Sequence, residues 1–277
     1  MQRSTSNYLT SLKVGTFLAF RDIRRANIWT TLLIIFVMTI TFLNLVVISG
    51  ILVGLIEGSV EANKGRYTSD VIISPLRQRT FIEHSQDIIN LAQSLPSVDK
   101  LTSRYIQGGK IEANYKTKLR ETDVTESAGG LVSGINPEAE NAVTGIANYI
   151  IEGEYLNRTD FDQIMIGADL LFKYTPIDTP SFRTLENVGA GTKVRLVIGN
   201  IKREVTIKGV LKSKVGEVDQ RIFMVDTQFR QLIGRGDFNV DEIAIKAKPG
   251  ITPDQIKTSL LNSGVGTYAK VQTATDA

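Results

Sequence analysis

ANIWTTLLIIFVMTITFLNLVVISGILVGLI, residues 26–56, runs for 31 positions without a charged side chain or a proline. About 20 apolar residues cross a hydrocarbon core of about 30 Å. At about 1.5 Å per residue this stretch reaches about 46 Å, so it is long enough to span a bilayer with tilt or to project beyond it as a stalk. Val60 and Ala62 resemble a leader-peptidase site, but the apolar run is about twice the length of a leader core, which favours an anchor. Trp29 suits the aromatic belt at one interface. Gly50, Gly54 and Gly58 recur every four residues and open one face to another helix. Asn44, Thr39 and Thr41 add polar atoms near mid-membrane that would prefer partners.

Charge on either side of this segment orients it. The chain has 277 residues with 32 Lys plus Arg against 29 Asp plus Glu. Residues 1–25 hold Arg3, Lys13, Arg21, Arg24 and Arg25 against Asp22, a local balance of +4 that leaves −1 for the remaining 252 residues. Positive charge before the span, with Glu57 and Glu61 after it, keeps the N-terminus in the cytoplasm and about 220 residues outside. A long portion with a balance of −1 excludes duplex binding by a polycation, and nucleic acid is not an expected partner. Before the span, Val14, Phe17, Phe20 and Ile23 recur every three residues among Lys13, Arg21 and Arg24. That pattern predicts an amphipathic helix in the inner interface of the lipid bilayer.

Beyond residue 57 the patterns are those of an α+β domain. Asp70–Ser74 reads as a buried strand stopped by Pro75. A helix follows, with Thr80 and Glu83 at capping-box spacing, Ile88, Leu91, Ala92 and Leu95 on one face, and Pro96 at its end. Residues 98–115 then return as extended chain. A second unit of the same plan closes the sequence. Glu242–Ala247 alternates, and Thr252 with Gln255 caps a helix that starts at Pro253, with Ile251 stapled on Ile256. That helix stops near Gly264, and residues 267–273 are extended.

Between these units the pattern is β. Lys193–Ile198 alternates, Gly199–Asn200 is a hairpin turn, Val205 and Ile207 lead the return, and Arg221–Val225 is a further strand. Residues 117–130 read as a polar loop. The expected architecture is therefore a cytoplasmic segment 1–25, a transmembrane helix 26–56, and a two-lobed extracytoplasmic domain 57–277. In it, two βαβ-like units (57–135 and 237–277) form a membrane-proximal lobe, and 136–236 is an inserted β-rich lobe.

No catalytic set emerges. One histidine, His84, and no cysteine leave almost no material for zinc or thiol chemistry. Gly189 and Gly191 do not complete a dinucleotide fingerprint, and no phosphate-binding loop of the Walker type occurs. Asp237, Asn239 and Asp241 begin like a calcium loop, but Glu242 stands where glycine is needed. Arg235–Gly236–Asp237 spells an adhesion tripeptide best read as a turn. No catalytic, cofactor or metal residue is assigned.

The order of the segments carries more than any one motif. FRDIRRANIWTTLLIIF (20–36) and SDVIISP (69–75) open the series. VSGINPEAE (132–140), YIIEGEYL (149–156), IMIGADLLFKY (164–174), VGAGTKVRLVIGNIKREVTIKGVL (188–211) and RIFMVDTQFRQLIG (221–234) continue it. In this order they resemble a MacB-like ABC transporter permease, a superfamily that also includes lipoprotein-releasing permeases and FtsX. The resemblance implies an outer domain placed between a first membrane helix and three more. The sequence stops where those three should begin, as a fragment or a shortened relative would. It also implies mechanotransmission without enzymatic activity in this chain. ATP would be bound by a partner ATP-binding subunit, with permeases paired as homodimer or heterodimer in the inner membrane. The activity implied is export or extraction of an amphiphilic substrate. The alternative is an FtsX-type envelope adaptor that regulates a cell-wall hydrolase or scaffolds envelope proteins. On this resemblance Arg21, Arg24 and Arg25 are candidate contacts at the cytoplasmic interface, and Gly50, Gly54 and Gly58 pack on neighbouring helices.

Overall fold

The computed structural model describes residues 13–18, 21, 28–66, 69–116, 126–176, 179, 183–213 and 215–273, with side chains of the first long helix described as far as residue 51. The chain divides into two compact units at Gly58/Ser59.

In the first unit, α1 begins at Ile28 and runs to Arg66. Residues 13–18 are also helical, with Val14 and Phe17 exposed. Phe20, Ile23, Arg24 and Arg25 lie outside the described residues.

The first strand of the second unit is β1 (Val71–Pro75), which leads through α2 (Ser85–Ser94) to the long strand β2 (Val98–Glu112). It closes with β9 (Glu242–Ala247), α6 (Pro253–Asn262) and β10 (Ala269–Thr273). These strands lie in the order β10-β1-β9-β2, each antiparallel to its neighbour. β1 and β2 are therefore parallel with β9 between them, and β9 and β10 are parallel with β1 between them: two split βαβ units interleaved. Alternation sets the buried face. Val71, Ile73, Ile243, Ile245 and Val271 are buried, and Ile88, Ala92, Ile256 and Leu260 join them in one hydrophobic cluster.

The segment between β2 and β9 supplies β3 (Ser127–Ile135), α3 (Pro137–Thr144), β4 (Ile150–Gly153), β5 (Gln163–Gly167), β6 (Lys193–Ile198), β7 (Ile201–Leu211), α4 (Gly216–Asp219), β8 (Ile222–Val225) and α5 (Asp226–Leu232). Pairing runs β2-β3-β8-β5-β7-β6, and β6 returns to β2 at Lys110–Glu112. Six strands thus close a ring, which leaves none of them a free edge over the paired stretch. Inward residues fill it: Ile111, Val132, Ile164, Ile166, Leu196, Ile207 and Ile222 are at most 1% exposed. The ring crosses the boundary expected at residue 136, because β2 and β3 come from one side of it and β5 to β8 from the other.

Three local expectations need correction. α2 begins at Ser85, after His84 in the left-handed region (φ 55), rather than at a box made by Thr80 and Glu83. The amide of Ile82 donates to Val240 O at 2.8 Å, and a turn at Glu83 and His84 then leads into the helix. Glu83 instead meets Arg79 at 2.9 Å. Residues 127–130 are not loop but the start of β3, paired with Gly109–Glu112. Gly129 and Gly130 argued against a strand by propensity, yet a Cβ at Gly130 would stand 2.3 Å from Gln220 O, so the close approach requires glycine there. The Thr39 and Thr41 hydroxyls need no outside partner, since they donate to Ile35 O (2.8 Å) and Val37 O (2.7 Å) of their own helix.

The expected turn at Gly199–Asn200 is present, with Ile198 paired to Ile201. The second helix starts at Pro253, with the Thr252 amide donating to Gln255 Oε1 at 3.1 Å.

Candidate functional site

Ile28–Ile51 is the one helix among the described residues long and apolar enough to cross a membrane: 24 residues of mean hydropathy 2.7, none buried. At about 1.5 Å per residue it is about 36 Å long, slightly more than a hydrocarbon core. Gly50 sits on it with no atom within 4 Å of where a Cβ would be. Gly54 and Gly58 continue the same helix, but their surroundings lie outside the described residues. Arg21 is helical and exposed, whereas Arg24 and Arg25 lie outside the described residues.

The second unit concentrates its unusual chemistry at one place on β2. Residues up to Arg104 pair with β9, and residues from Arg104 onward pair with β3. β2 is thus the strand shared by the interleaved sheet and the ring, and Arg104 is where it passes from one to the other. Successive side chains on a strand point to opposite faces, so Arg104 and Tyr105 enter different environments.

On one face Arg104, 2% exposed, donates through Nε to Glu140 Oε2 (3.0 Å) and through Nη2 to Glu140 Oε1 (2.6 Å). Its Nη1 bonds Glu242 Oε1. Glu140 comes from α3, is fully buried, and also accepts from Thr102 Oγ1 at 3.3 Å. Glu242, the first residue of β9, faces Arg221 at 3.9 Å as well. Arg221 in turn reaches Glu217 and, at 3.5 Å, Ser133 Oγ of β3. Burial alone would raise the Glu242 carboxyl, but Arg104 and Arg221 outweigh it and hold the group below its ordinary range. Two buried cations, the buried Glu140 and the half-buried Glu242 thus neutralise each other across α3, β2, β9 and the residue just before β8.

On the other face Tyr105, 5% exposed, lies between two guanidinium groups. Arg230 of α5 is 5.5 Å from its ring and 4.3 Å from that of Phe238, and Arg235 is 5.5 Å from Tyr105 and 5.2 Å from Phe81. The result is an aromatic and guanidinium ladder, Phe238–Arg230–Tyr105–Arg235–Phe81. Asp241 fixes Arg235 at 2.9 and 3.1 Å and accepts the Ile106 amide at 2.6 Å. Burial pushes the Asp241 carboxyl up, with Arg235 only partly offsetting it. Burial likewise raises the Tyr105 hydroxyl, against the nearby Arg230.

This arrangement clamps a junction. It provides no nucleophile beside a base, and no group of three or more metal-ligating side chains occurs among the described residues. The residues of the calcium-like stretch are used otherwise: Asp241 holds Arg235, and Asp237 Oδ1 accepts the Asn239 amide at 2.9 Å. The arginine of the Arg235–Gly236–Asp237 tripeptide is turned inward onto the ladder. His84 stands edge-on to Tyr268, with ring centroids 5.0 Å apart. Sequence reasoning singled out none of Arg104, Tyr105, Glu140 or Arg230. The available signal was the register of β2, in which Arg104 falls at an inward position of a buried strand.

The family model described as the MacB-like periplasmic core domain matches residues 31–262. The chain belongs to that family. No curated protein matches the chain. Among solved structures, the periplasmic region of MacB from Actinobacillus actinomycetemcomitans is similar at 14% identity and a TM-score of 0.50, covering 76% of this chain and 91% of that one. The extracellular domain of the noncanonic ABC-type transporter YknZ from Gram-positive bacteria is similar at 15% identity and a TM-score of 0.44, over 74% of this chain and 99% of that one. As a MacB-like protein, the chain carries the periplasmic core domain of ABC transporter permeases. Its one N-terminal apolar helix fits a membrane-anchored protein.

Proposed function

We propose that this chain is the permease side of a MacB-type or lipoprotein-release-type ABC transporter, coupling ATP hydrolysis by a cytoplasmic partner to export or extraction of an amphiphilic substrate. The match to the MacB-like periplasmic core domain over residues 31–262 carries this reading. The route for force is built into the connectivity. α1 leads within a few residues into β1, which is zipped to β10 from Val71↔Thr273 to Pro75↔Ala269 and to β9 from Val71↔Ile245 to Ile73↔Ile243. A pull passed along the chain into β1 would be resisted by two strands at once. From β9 the load passes to β2, and through the Arg104 junction into the ring.

In this reading the β10-β1-β9-β2 layer belongs to the membrane-proximal lobe, and residues 136–236, which supply β5 to β8 of the ring, are the inserted lobe. The basic N-terminus lies in the cytoplasm, and Arg21, Arg24 and Arg25 meet the ATPase or the headgroups. Gly50, Gly54 and Gly58 allow close helix packing in a homodimer or heterodimer. Reconstitution with the cognate ATPase tests the function. Hydrolysis stimulated by an amphiphilic substrate supports transport. Stimulation only by a cell-wall hydrolase supports the adaptor role, and no association with any ATPase overturns both.

A further inference from the structure

The ring has one stretch that its own strands leave unpaired. β3 pairs with β2 along its whole length, from Ser127 to Ile135, but with β8 only from Val132 to Ile135. In an antiparallel pair, residues that exchange backbone hydrogen bonds with the partner strand alternate with residues whose N–H and C=O point away from it. The Ala113 amide, which donates to Glu126 O at 2.9 Å, sets the phase. Counted from that pair along the register, Ala128 and Gly130 bond to β2, whereas Ser127 and Gly129 turn their N–H and C=O to the opposite edge. The same count turns the Ile106 N–H away from β3, and it is found on the Asp241 carboxylate at 2.6 Å. Among the described residues no backbone group pairs with the outward edge of Ser127 and Gly129.

That edge opens on a cavity of about 410 Å³, lined by Gly129, Gly130 and Leu131 of β3 with Arg183, Glu217, Gln220 and Arg221. Ligand-holding pockets measure about 300–1,000 Å³. Gly129 leaves the approach clear, since the nearest atom to where its Cβ would stand is 3.9 Å away. Arg221 and Glu217 are paired with each other. Arg183 is exposed and has no ion pair among the described residues, so the lining carries one uncompensated positive charge. Leu131, 40% exposed, is its only large apolar side chain.

Outward N–H and C=O groups on alternate residues repeat about every 6.8 Å, and the structure that matches such a row is another extended backbone. The lone cation adds a demand for a carboxylate. A lining with a single large apolar side chain suits a polar segment rather than an amphiphilic passenger. We propose that the Ser127–Leu131 edge of β3 docks an extended, acidic segment of a partner protein as an added strand, with Arg183 meeting a carboxylate of that segment. Docking of this kind needs neither ATP nor a bilayer, so its failure would leave the transport reading standing.

The probe is a fluorescein-labelled TVTVTE peptide, titrated into the full chain in detergent and followed by anisotropy. Saturable binding is expected, and its loss when the backbone amides of the peptide are N-methylated. Gly129→Pro removes an outward N–H at a position where an edge strand tolerates proline. It should keep the circular dichroism of the parent chain and weaken binding about tenfold. Gly129→Ala keeps the N–H and has room for its methyl, so its binding should match the parent. Arg183→Ala should weaken binding about threefold at low salt, with no effect on an amidated peptide that has Gln in place of Glu. No saturable binding up to millimolar peptide, or binding indifferent to N-methylation, overturns the proposal. Binding lost on N-methylation but equal in Gly129→Pro and Gly129→Ala puts the peptide on another edge, such as that of β10, and overturns it as well. Release of the peptide as the cognate ATPase turns over would mark a transported passenger and overturn the assignment to a docked partner.

Discussion

Glu140→Ala is the sharpest perturbation of the junction. Glu140 takes two of the three hydrogen bonds that Arg104 makes to carboxylates, at 3.0 and 2.6 Å, and both side chains are almost wholly buried. Breaking a buried ion pair from one side costs about 3–5 kcal/mol, because the remaining charge stays out of water. Glu242 still holds Arg104 Nη1, so the lower end applies, about 3 kcal/mol. For a unit of this size each kcal/mol moves the melting temperature by about 2–4 °C, which gives a drop of about 6–12 °C. The assay is thermal and urea unfolding of the full chain in detergent, followed by circular dichroism. The double variant Arg104→Met with Glu140→Leu should recover part of the loss, since an apolar pair of similar volume can replace a buried ion pair while Glu242, deprived of Arg104, keeps Arg221 at 3.9 Å. A loss below about 1 kcal/mol for Glu140→Ala, or a double variant no better than the single one, would refute the buried-clamp account.

Two further outcomes follow from the same geometry. Gly167→Ala would put a methyl 2.0 Å from Asp219 O, a backbone atom that cannot swing aside. It should cost at least about 2 kcal/mol, whereas Gly216→Ala, with nothing within 4 Å, should stay within about 0.5 kcal/mol; equal effects in urea unfolding would contradict the packing described. The Glu242 carboxyl titrates below its unfolded value of about 4.3, so the folded state binds fewer protons there. Its contribution is present above about pH 4.3 and is lost as pH falls further. Stability measured from pH 6 to 3 should fall more steeply in the parent chain than in Glu242→Gln, and parallel curves would count against the assignment. Asp241 titrates in the opposite sense in both proteins and cancels from the comparison.

What was legible in the sequence were features with strong local periodicity. The apolar run, the two strand–helix–strand patterns, the Gly199–Asn200 turn and the Thr252–Gln255 cap appear as read. Long-range pairing was not legible. That β6 returns to β2 and closes a ring depends on contacts over 80 residues apart, as between Lys110 and Val197, which no local period encodes. The start of β3 was missed because its glycines answer to a neighbouring carbonyl rather than to strand propensity. Of the Arg104 cluster only Arg104 carried a signal, its inward position in the register of β2. Its partners Glu140, Glu242 and Arg221 are scattered over more than 100 residues, and each alone reads as ordinary surface charge.

The central claim is that ATP hydrolysis on one side of the membrane moves the outer domain on the other. Its most direct measurement is the distance between spin labels at Asn200, on the exposed β6–β7 turn, in two copies reconstituted with the cognate ATPase. A distance distribution that shifts between the nucleotide-free and ATP-trapped states is predicted. The same distribution in both states, with the ATPase bound and hydrolysing, would contradict the account.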